Sequence, residues 1–328
     1  MKTDLTTRLC RAMFAAAAVA SSLFAGGANA QDYPNRTVRL IVPFAAGGAT
    51  DVLGRLIGQE LSKQLGQPVV VENKAGAAGA IGTDLVAKAP PDGYTLCFCT
   101  TGPQVVLPFL TKLPYDPVKD LVPVIHVHNV PNVLLARPEL PANNVAELIA
   151  QAKKQPGRIS FASTGNGGPQ HLAGELFQHL TRSKLIHVPY KGENLAFTDL
   201  AGGQIDTSFG SITVAEPLIK AGKIKALAVT GLQRSPALPN VPTVSETVKG
   251  FTAYTFVGIN VPKGTPQPVI DRLNRAVNLV LFNQAVRERM IGMVVEPVGG
   301  TADAYADFLR KERAKWSDVI KQAKVTMG

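Results

Sequence analysis

From residue 38 onward, apolar and polar positions follow a pattern that predicts a strand, a loop and a helix. The segment VRLIVPFAAGGATD starts as a β-branched apolar run, continues as a loop of small residues and ends at Thr50 or Asp51, either of which can cap a helix. One face of the following helix is expected to pack on a sheet. Its apolar stripe consists of Val52, Leu53, Leu56, Ile57, Leu61 and Leu65.

The pattern recurs along the chain. PVVVEN predicts a parallel strand followed by a second glycine loop and helix, and PDGYTLCFCT predicts a third strand that ends at Thr100 and Thr101. ISFASTGNGGPQHLAGELF then repeats the form of the first segment, without the self-similarity of a true repeat. The strands predicted in this second series are 159–163, 185–189 and 205–209, and its helices are 145–155, 171–180 and 195–201.

The chain is expected to cross between two lobes twice. LVPVIHVHNVPNVLLAR predicts extended chain broken by Pro123 and Pro131, and 251–261 predicts an extended return. Helices 266–290 and 302–324, around a short strand, complete the first lobe. These elements predict an α/β protein with a ligand cleft between its lobes. The predicted lobes are 31–131 with 255–328 for lobe 1, and 132–254 for lobe 2.

Two loops of small residues are candidate anion sites. In the first, Ala45, Ala46, Gly47 and Gly48 leave backbone N–H groups bare at a helix N-terminus, where free donors and the helix dipole favour an anion. The second offers the same donors from Ala77, Ala78 and Gly79. Its G-x-x-G-x-x-G spacing departs from the dinucleotide fingerprint, so no nicotinamide cofactor is predicted. A tight turn in which the glycines serve only geometry remains the alternative.

The first 30 residues have the three parts of a secretory signal. Basic residues precede an apolar run from Ala12 to Ala25, and a small-residue site follows, so cleavage is predicted after Ala30. The formal charge of +10 falls to +8 without this segment. A basic exported protein is consistent with anionic ligands. Nucleic acid is disfavoured because Lys and Arg are scattered without interleaved aromatic residues.

Cysteine and histidine residues suggest no metal site. Cys97 and Cys99 lie one residue apart in a predicted strand, about 6.6 Å from each other and badly oriented for a bond, so two buried free thiols are expected. His126 and His128 share a strand face without a third ligand, and a partly exposed structural pair is expected. His171, Glu175 and His179 span about 12 Å of one helix, too far for one ion.

Several blocks, taken together, resemble the Bug family of periplasmic solute receptors, the binding components of tripartite tricarboxylate transporters. They are YPNRTVRLIVPFAAGGATD, VVVENKAGAAGAIGTDLVAKAPPDGYTL, ASTGNGGPQHLAGELF, VPYKGENLAFTDLAGGQID and ALPNVPTVSE. The resemblance implies a two-lobed, type II-like periplasmic-binding-protein fold with a hinge. It also implies a periplasmic, monomeric protein without a cofactor, which delivers a mono-, di- or tricarboxylate, aliphatic or aromatic, to membrane transporter subunits.

The resemblance also places residues around the ligand. Thr100 and Thr101 are added from the pattern alone, because they end a parallel strand where ligands contact such sheets. Ala49, the GNGGPQH loop and the cysteine pair depart from the family's pattern and leave the size of the pocket open. The residues carried over are Phe44, Ala45, Ala46, Gly47, Ala77, Ala78 and Gly79 on one side, Ser163, Thr164 and Gly165 on the facing side, and His171, Tyr190 and Asp206 nearby.

Two other functions use the same residues. A secreted hydrolase could employ Ser163, His171 and Asp206 as a triad, but no G-x-S-x-G elbow surrounds Ser163. A ligand sensor with the same fold would share the ligand chemistry. The predicted cleft loops contain Lys74 and no arginine, with Lys191 as the remaining cation, so neutral donors are expected to hold the carboxylate.

Overall fold

The computed structural model describes residues 33–326, so the predicted signal segment and its cleavage site lie outside the described residues. Strands and helices alternate as the pattern predicts. The strands are β1 (Val38–Val42), β2 (Val69–Asn73), β3 (Thr95–Thr100), β4 (Leu121–Ala136), β5 (Ser160–Ser163), β6 (Ile186–Pro189), β7 (Thr207–Ser211), β8 (Lys225–Val229), β9 (Tyr254–Pro262) and β10 (Glu296–Pro297). The helices are α1 (Ala49–Leu65), α2 (Ala80–Ala87), α3 (Leu107–Leu110), α4 (Val145–Lys154), α5 (Pro169–Thr181), α6 (Glu193–Ala201), α7 (Ile212–Lys220), α8 (Gln267–Phe282), α9 (Gln284–Gly292) and α10 (Ala302–Ala323).

The long strand β4 connects two groups of strands. In the first lobe the order is β2-β1-β3-β9-β4, with β1 parallel to β2 and β3, and β9 antiparallel to both of its neighbours. In the second lobe the order is β4-β7-β5-β6, and β8 also pairs with β4. β4 pairs with β9 as far as Pro131 and with β7 from Asn132 onward. The predicted first crossing is therefore one continuous strand that changes partners.

The prolines of β4 do not break the strand, contrary to expectation. Pro123 lies at a register shift between β4 and β9, and Pro131 is the last residue paired with β9. Proline has no N–H group for a ladder, and both positions are places where the regular ladder is interrupted. The strand therefore continues through both prolines at little cost in hydrogen bonding.

The apolar stripes predicted from the sequence form the core, except that Val52 of the α1 stripe is 46% exposed. Leu53, Ile57 and Leu61 of α1 are buried in the first lobe with the strand residues Leu40 and Phe98. A second cluster fills the second lobe and includes Phe161, Phe177 and Phe209. The predicted packing of α1 on the sheet is confirmed.

The last helix, α10, contacts both lobes. Residues 302–324 were expected in lobe 1, but Trp316, Val319 and Ile320 of α10 are buried in the same cluster as Leu172 and Phe177 of α5. The last turns of α10 thus pack on the second lobe, whereas its first turns lie on the first lobe, where Tyr305 bonds Gln104 and Phe308 packs on His126. The boundaries of the lobes remain predictions.

Several element boundaries also differ from expectation. The predicted helix 266–290 is divided at Asn283, whose side chain accepts the N–H of Val286 and caps α9. The capping assigned to Thr50 or Asp51 is wrong, since α1 begins at Ala49 after an extended Gly48. Helix α7 was not predicted from the sequence. Within residues 33–326, the helices are all too short or too polar to span a bilayer.

The expected state of the cysteines is wrong. The sulfur atoms of Cys97 and Cys99 are bonded to each other in the structure. The Cα atoms are 5.1 Å apart, closer than the ideal strand spacing on which the expectation rested and within disulfide range. A local shortening of β3 therefore places the two residues within reach of each other.

The histidines of β4 are buried rather than partly exposed. A register shift lies between His126 and His128, so the simple alternation that put them on one face does not hold. His126 packs against Phe308 and bonds Asn129, whereas His128 lies near Phe98 of the first-lobe core. Burial lowers the pKa of His126 to about 4 and that of His128 to about 3.

Candidate functional site

A cavity of about 330 Å³ lies between the lobes, where the carboxyl ends of β1 and β3 face the loop after β5. Such an edge is where ligands contact open α/β sheets. The first lobe contributes Phe44, Thr50, Ala78, Thr100, Thr101 and Gly102; the second contributes Asn166, Gly167, Gly168 and Pro169. The remaining wall consists of Val106, Leu107, Leu172, Ala253, Tyr254, Thr255 and Trp316.

Two long helices begin at this cavity, one from each lobe. Thr50 lies in the first turn of α1, and Gly168 is the residue before α5. Both helices are preceded by a glycine that has no side chain for capping. The first N–H groups of a helix have no partner within the helix, and its dipole favours an anion there. The cavity is therefore a suitable anion site.

Charged side chains do not line this cavity in the described part of the chain. A bound carboxylate would thus meet neither a cation to pair with nor a carboxylate to repel it. The larger neighbouring cavity, of about 460 Å³, differs in this respect, since it contains Arg234, Arg287 and Glu296. It also lies beside the C-terminal end of α9, whose dipole disfavours anions. The cavity between the lobes is the better anion site.

The first glycine loop supplies fewer free donors than predicted. Gly47 donates its N–H to Asp51 Oδ2 at 2.8 Å, and Asp51 also accepts from Asn73 and Arg55. These bonds, the one from Gly47 foremost, hold the pKa of Asp51 below its ordinary value. Asp51 thus organises the loop. Ala45, Ala46 and Gly47 are exposed beside the cavity and do not line it, whereas Phe44 does.

The second glycine loop adopts an unusual backbone conformation. Ala77 and Ala78 both have φ near +50°, a left-handed conformation that is uncommon for residues other than glycine. Ala78 lines the cavity, while Ala77 faces a separate pocket beside α2. The N–H of Gly79 is not bare, since it bonds the carbonyl of Gly76 at 3.0 Å. Of the three predicted residues, only Ala78 contacts the site.

Both predicted threonines of β3 lie at the cavity. Thr101 accepts the N–H of Phe256 through its hydroxyl at 2.8 Å, so this side chain links β3 to β9. Thr100 pairs with β9 through its backbone. Both residues are buried and line the cavity wall. The hydroxyl of Thr100 is therefore the better placed of the two to donate to a ligand.

The predicted residues Ser163, Thr164 and Gly165 support the facing loop from behind. Ser163 Oγ lies 2.6 Å from His187 Nε2 and accepts the N–H of Gly165 at 3.2 Å. Thr164 donates its hydroxyl to Gln170 at 2.8 Å. The cavity wall itself is formed by the residues that follow, 166–169. The three predicted residues therefore hold the loop that faces the ligand.

His171 has a similar supporting role. Its Nδ1 accepts the N–H of Gly167 at 3.0 Å, and its ring stacks on that of His187. Burial, followed by the proximity of His171, lowers the pKa of His187 to about 4. Both ends of the loop 163–167 are thus tied to a stacked pair of imidazoles. His187 was not predicted as a site residue, although it lies in the predicted strand 185–189, which pairs with β5.

Tyr190 and Asp206 do not line the cavity. Tyr190 donates its hydroxyl to Asp199 at 2.7 Å within the second lobe. Asp206 accepts from Arg137 and from Ser160, at the start of β5, whereas the cavity faces the end of that strand. Asp206 precedes β7 rather than following it, so its carboxylate lies at the edge of the sheet away from the cavity. The proposed triad is not assembled, since Ser163 bonds His187 and Asp206 lies at the opposite edge.

The apolar wall was missed from the sequence. Trp316 lies on α10, far along the chain from the loops that carry the other site residues. Leu172 and Val106 read as ordinary core positions in the sequence. No groups of three or more potential metal-binding side chains occur among residues 33–326.

Two lobes, a shared long strand and a cavity at two helix N-termini are the features of a solute-binding protein. The family model of the tripartite tricarboxylate transporter family receptor matches residues 53–325. The chain therefore belongs to this receptor family, and the predicted family and fold class are confirmed. Protein BugT of Bordetella pertussis is 38% identical over 307 residues, which cover 93% of this chain and 94% of BugT.

Solved structures of similar proteins include two with bound carboxylates. An R. palustris protein with adipate has a TM-score of 0.72 and 35% identity, covering 90% of this chain and 100% of its own. MatC from Rhodopseudomonas palustris, with bound malate, has a TM-score of 0.68 and 34% identity over 88% of this chain and 100% of its own. A solute-binding protein from Polaromonas without ligand has a TM-score of 0.80 and 31% identity, covering 88% of this chain and 99% of its own.

Proposed function

We propose that this protein captures a small organic carboxylate in the cavity between its lobes. The observation that carries the proposal is that α1 and α5 begin at one cavity from opposite lobes, and that this cavity is lined by no charged side chain of the described residues. Two helix N-termini attract an anion, and no carboxylate of residues 33–326 lines the cavity. The adipate and malate of the related structures are ligands of this class.

Neutral donors do the binding in this proposal. The candidates are the first N–H groups of α1 and α5, the hydroxyl of Thr100 and bridging waters. Each neutral hydrogen bond contributes about 0.5–1.5 kcal/mol net, so several of them together with buried apolar surface give binding in the micromolar range, about −8 kcal/mol. An arginine fork is not required.

Ligand binding is proposed to bring the lobes together about the crossings near 125–137 and 250–262. The ligand-free Polaromonas protein has a TM-score of 0.80 to this structure. The adipate-bound and malate-bound proteins have lower scores, 0.72 and 0.68, although their sequence identity is higher. This order supports an open arrangement here. Small-angle scattering tests it: a saturating carboxylate should reduce the radius of gyration, and an unchanged profile would indicate a rigid receptor.

The proposed destination of the ligand is a membrane transporter. The family consists of receptors for tripartite transporters and includes periplasmic binding proteins, which supports a periplasmic location for this protein. Export by cleavage after Ala30, a monomeric state and particular membrane subunits are parts of the proposal. A sensor with the same cleft would bind the same ligands, and uptake measured with and without the transporter genes distinguishes the two.

Binding is tested by a carboxylate titration of the wild type and of two variants, each with one threonine of β3 replaced. Ligand-free protein, prepared by unfolding and refolding, is titrated with mono-, di- and tricarboxylates. A ligand at a hundred times its Kd should stabilise the fold by about 2.7 kcal/mol. Thr100→Val removes the hydroxyl at the cavity end of β3 and should weaken binding about fivefold, the worth of one hydrogen bond. Thr95→Val, at the other end of β3, is the control and should bind normally; no response to any carboxylate would refute the proposal.

A further inference from the structure

One wall of the cavity is built from buried apolar side chains. Val106 and Leu107 follow β3, Leu172 lies on the first turns of α5, and Trp316 lies on α10. Trp316 and Leu172 are each only 2% exposed. These residues come from separate segments of both lobes, so the apolar wall is a feature of the assembled cleft rather than of one element.

The polar side-chain atoms of Trp316 and Tyr254 are engaged elsewhere. The indole N–H of Trp316 is donated to Glu312 Oε2 at 2.9 Å, and the hydroxyl of Tyr254 accepts the N–H of Leu232 at 2.6 Å. Trp316 is held further by Lys315, whose ammonium group lies 4.7 Å from the centre of its ring. The wall therefore offers carbon surface in a fixed arrangement, with few groups that could bond a hydroxyl of a ligand.

Apart from the hydroxyl of Thr255, which belongs to this wall, the polar groups of the cavity lie on the other walls. They are the helix N-termini at Thr50 and Gly168, the hydroxyls of Thr100 and Thr101, and the amide of Asn166. A carboxylate held there extends the rest of its molecule toward Trp316 and Leu172. A hydroxyl on that part of the ligand would lose its water without gaining a partner, which disfavours binding.

We propose that the ligand is a carboxylate with an apolar body, an alkyl chain or a hydrocarbon ring, that packs on Trp316, Leu172 and Val106. This inference rests on the proposed function, because it assumes that the cavity binds a carboxylate at all. It predicts discrimination against hydroxylated acids of the same length and charge. Malate, which MatC binds, carries such a hydroxyl and should be a poor ligand here.

Matched pairs of acids test the inference by calorimetry on ligand-free protein. Adipate is compared with galactarate, its tetrahydroxy derivative, and cyclohexanecarboxylate with quinate, which carries four hydroxyls on the same ring. In at least one pair the apolar acid should bind ten times more tightly or better. Hydroxylated acids that bind as tightly as their partners, or more tightly, would overturn the inference and leave the proposed function standing. Failure of every carboxylate would refute the proposed function itself.

Two variants attribute the preference to this wall. Val106→Thr adds a hydroxyl to the wall at nearly constant volume and should reduce the ratio of apolar to hydroxylated affinity several-fold. Val105→Thr, a buried neighbour that does not line the cavity, is the matched control and should leave the ratio unchanged. If both variants reduced the ratio equally, or if neither changed it, the assignment of the preference to this wall would be contradicted.

The tryptophan supplies an independent readout. Trp316 is the only tryptophan of the chain, so its fluorescence reports on this wall alone. Saturation with the tighter acid of a pair should shift or quench the emission. Binding detected by calorimetry with no change in emission would place the ligand body away from Trp316 and overturn the inference.

Discussion

The imidazole rings of His171 and His187 are stacked with their centres 3.8 Å apart and their planes within 7° of parallel. His171 accepts a hydrogen bond from Gly167, and His187 bonds Ser163, so the pair grips both ends of one short loop. The next residues of that loop line the cavity between the lobes. The stacked pair therefore connects the second-lobe core to the surface that faces the ligand.

Removing His187 should loosen this loop. The variant His187→Ala deletes the partner of Ser163 and should weaken carboxylate binding by about 1 kcal/mol, or about fivefold, with a similar loss of stability. Calorimetry and urea unfolding measure the two effects. His179→Ala, an exposed position on the same α5 helix, is the control and should change neither. Unchanged binding by His187→Ala would show that the loop keeps its shape without this bond.

Acidification should destabilise the protein before its carboxylates titrate. The pKa values of His126, His128 and His187 are lowered from 6.5 to about 4, 3 and 4, chiefly by burial. As the pH falls from 7 to 5, these groups take up protons in the unfolded chain and not in the folded one, so the free energy of unfolding decreases. Urea unfolding at pH 7, 6 and 5 tests this. Constant or rising stability would contradict it.

Asp206 should be required for stability and not for binding. Its carboxylate accepts from Arg137 Nε and from the backbone and hydroxyl of Ser160, at the edge of the sheet away from the cavity. The change Asp206→Asn weakens these bonds and should lower stability by about 1–3 kcal/mol. Carboxylate affinity at a temperature where the variant is folded should equal that of the wild type. A large loss of carboxylate affinity in the folded variant would indicate that Asp206 takes part in ligand binding.

Binding should depend little on salt. No lysine or arginine among the described residues lines the cavity, so no ion pair with the ligand is there to be screened. Raising sodium chloride from about 0.02 to about 0.5 M should change Kd by less than about threefold. Lys191→Ala and Lys74→Ala should bind like the wild type. A steep salt dependence, or loss of binding in either variant, would indicate a cation in the closed site.

The local sequence pattern predicted most of the strands and helices and some of the residues that line the cavity. Apolar stripes such as that of α1 depend on neighbouring residues, and periodicity records them directly. Ala78, Thr100 and Thr101 were predicted because they lie in a glycine loop or at the end of a predicted strand, where a ligand edge is expected, whereas Phe44 came only from the resemblance to the Bug family.

Contacts between distant segments could not be predicted in this way. Trp316 reaches the cavity only because α10 packs on α5, and nothing in its own neighbourhood indicates that partner. The bonds of Asp51 to Gly47 and of His187 to Ser163 depend on exact loop geometry, which residue type alone does not determine. The Cys97–Cys99 bond likewise depends on a local departure from the ideal strand spacing.

The most direct test of the central claim compares acids with their neutral amides. Helix N-termini and hydroxyl donors should hold a carboxylate and reject an amide, which has lost the charge and offers N–H groups to other donors. Calorimetry on refolded, ligand-free protein compares adipate with adipamide and cyclohexanecarboxylate with its amide. The account predicts measurable binding of at least one acid and none of its amide. Equal binding of acid and amide would contradict it.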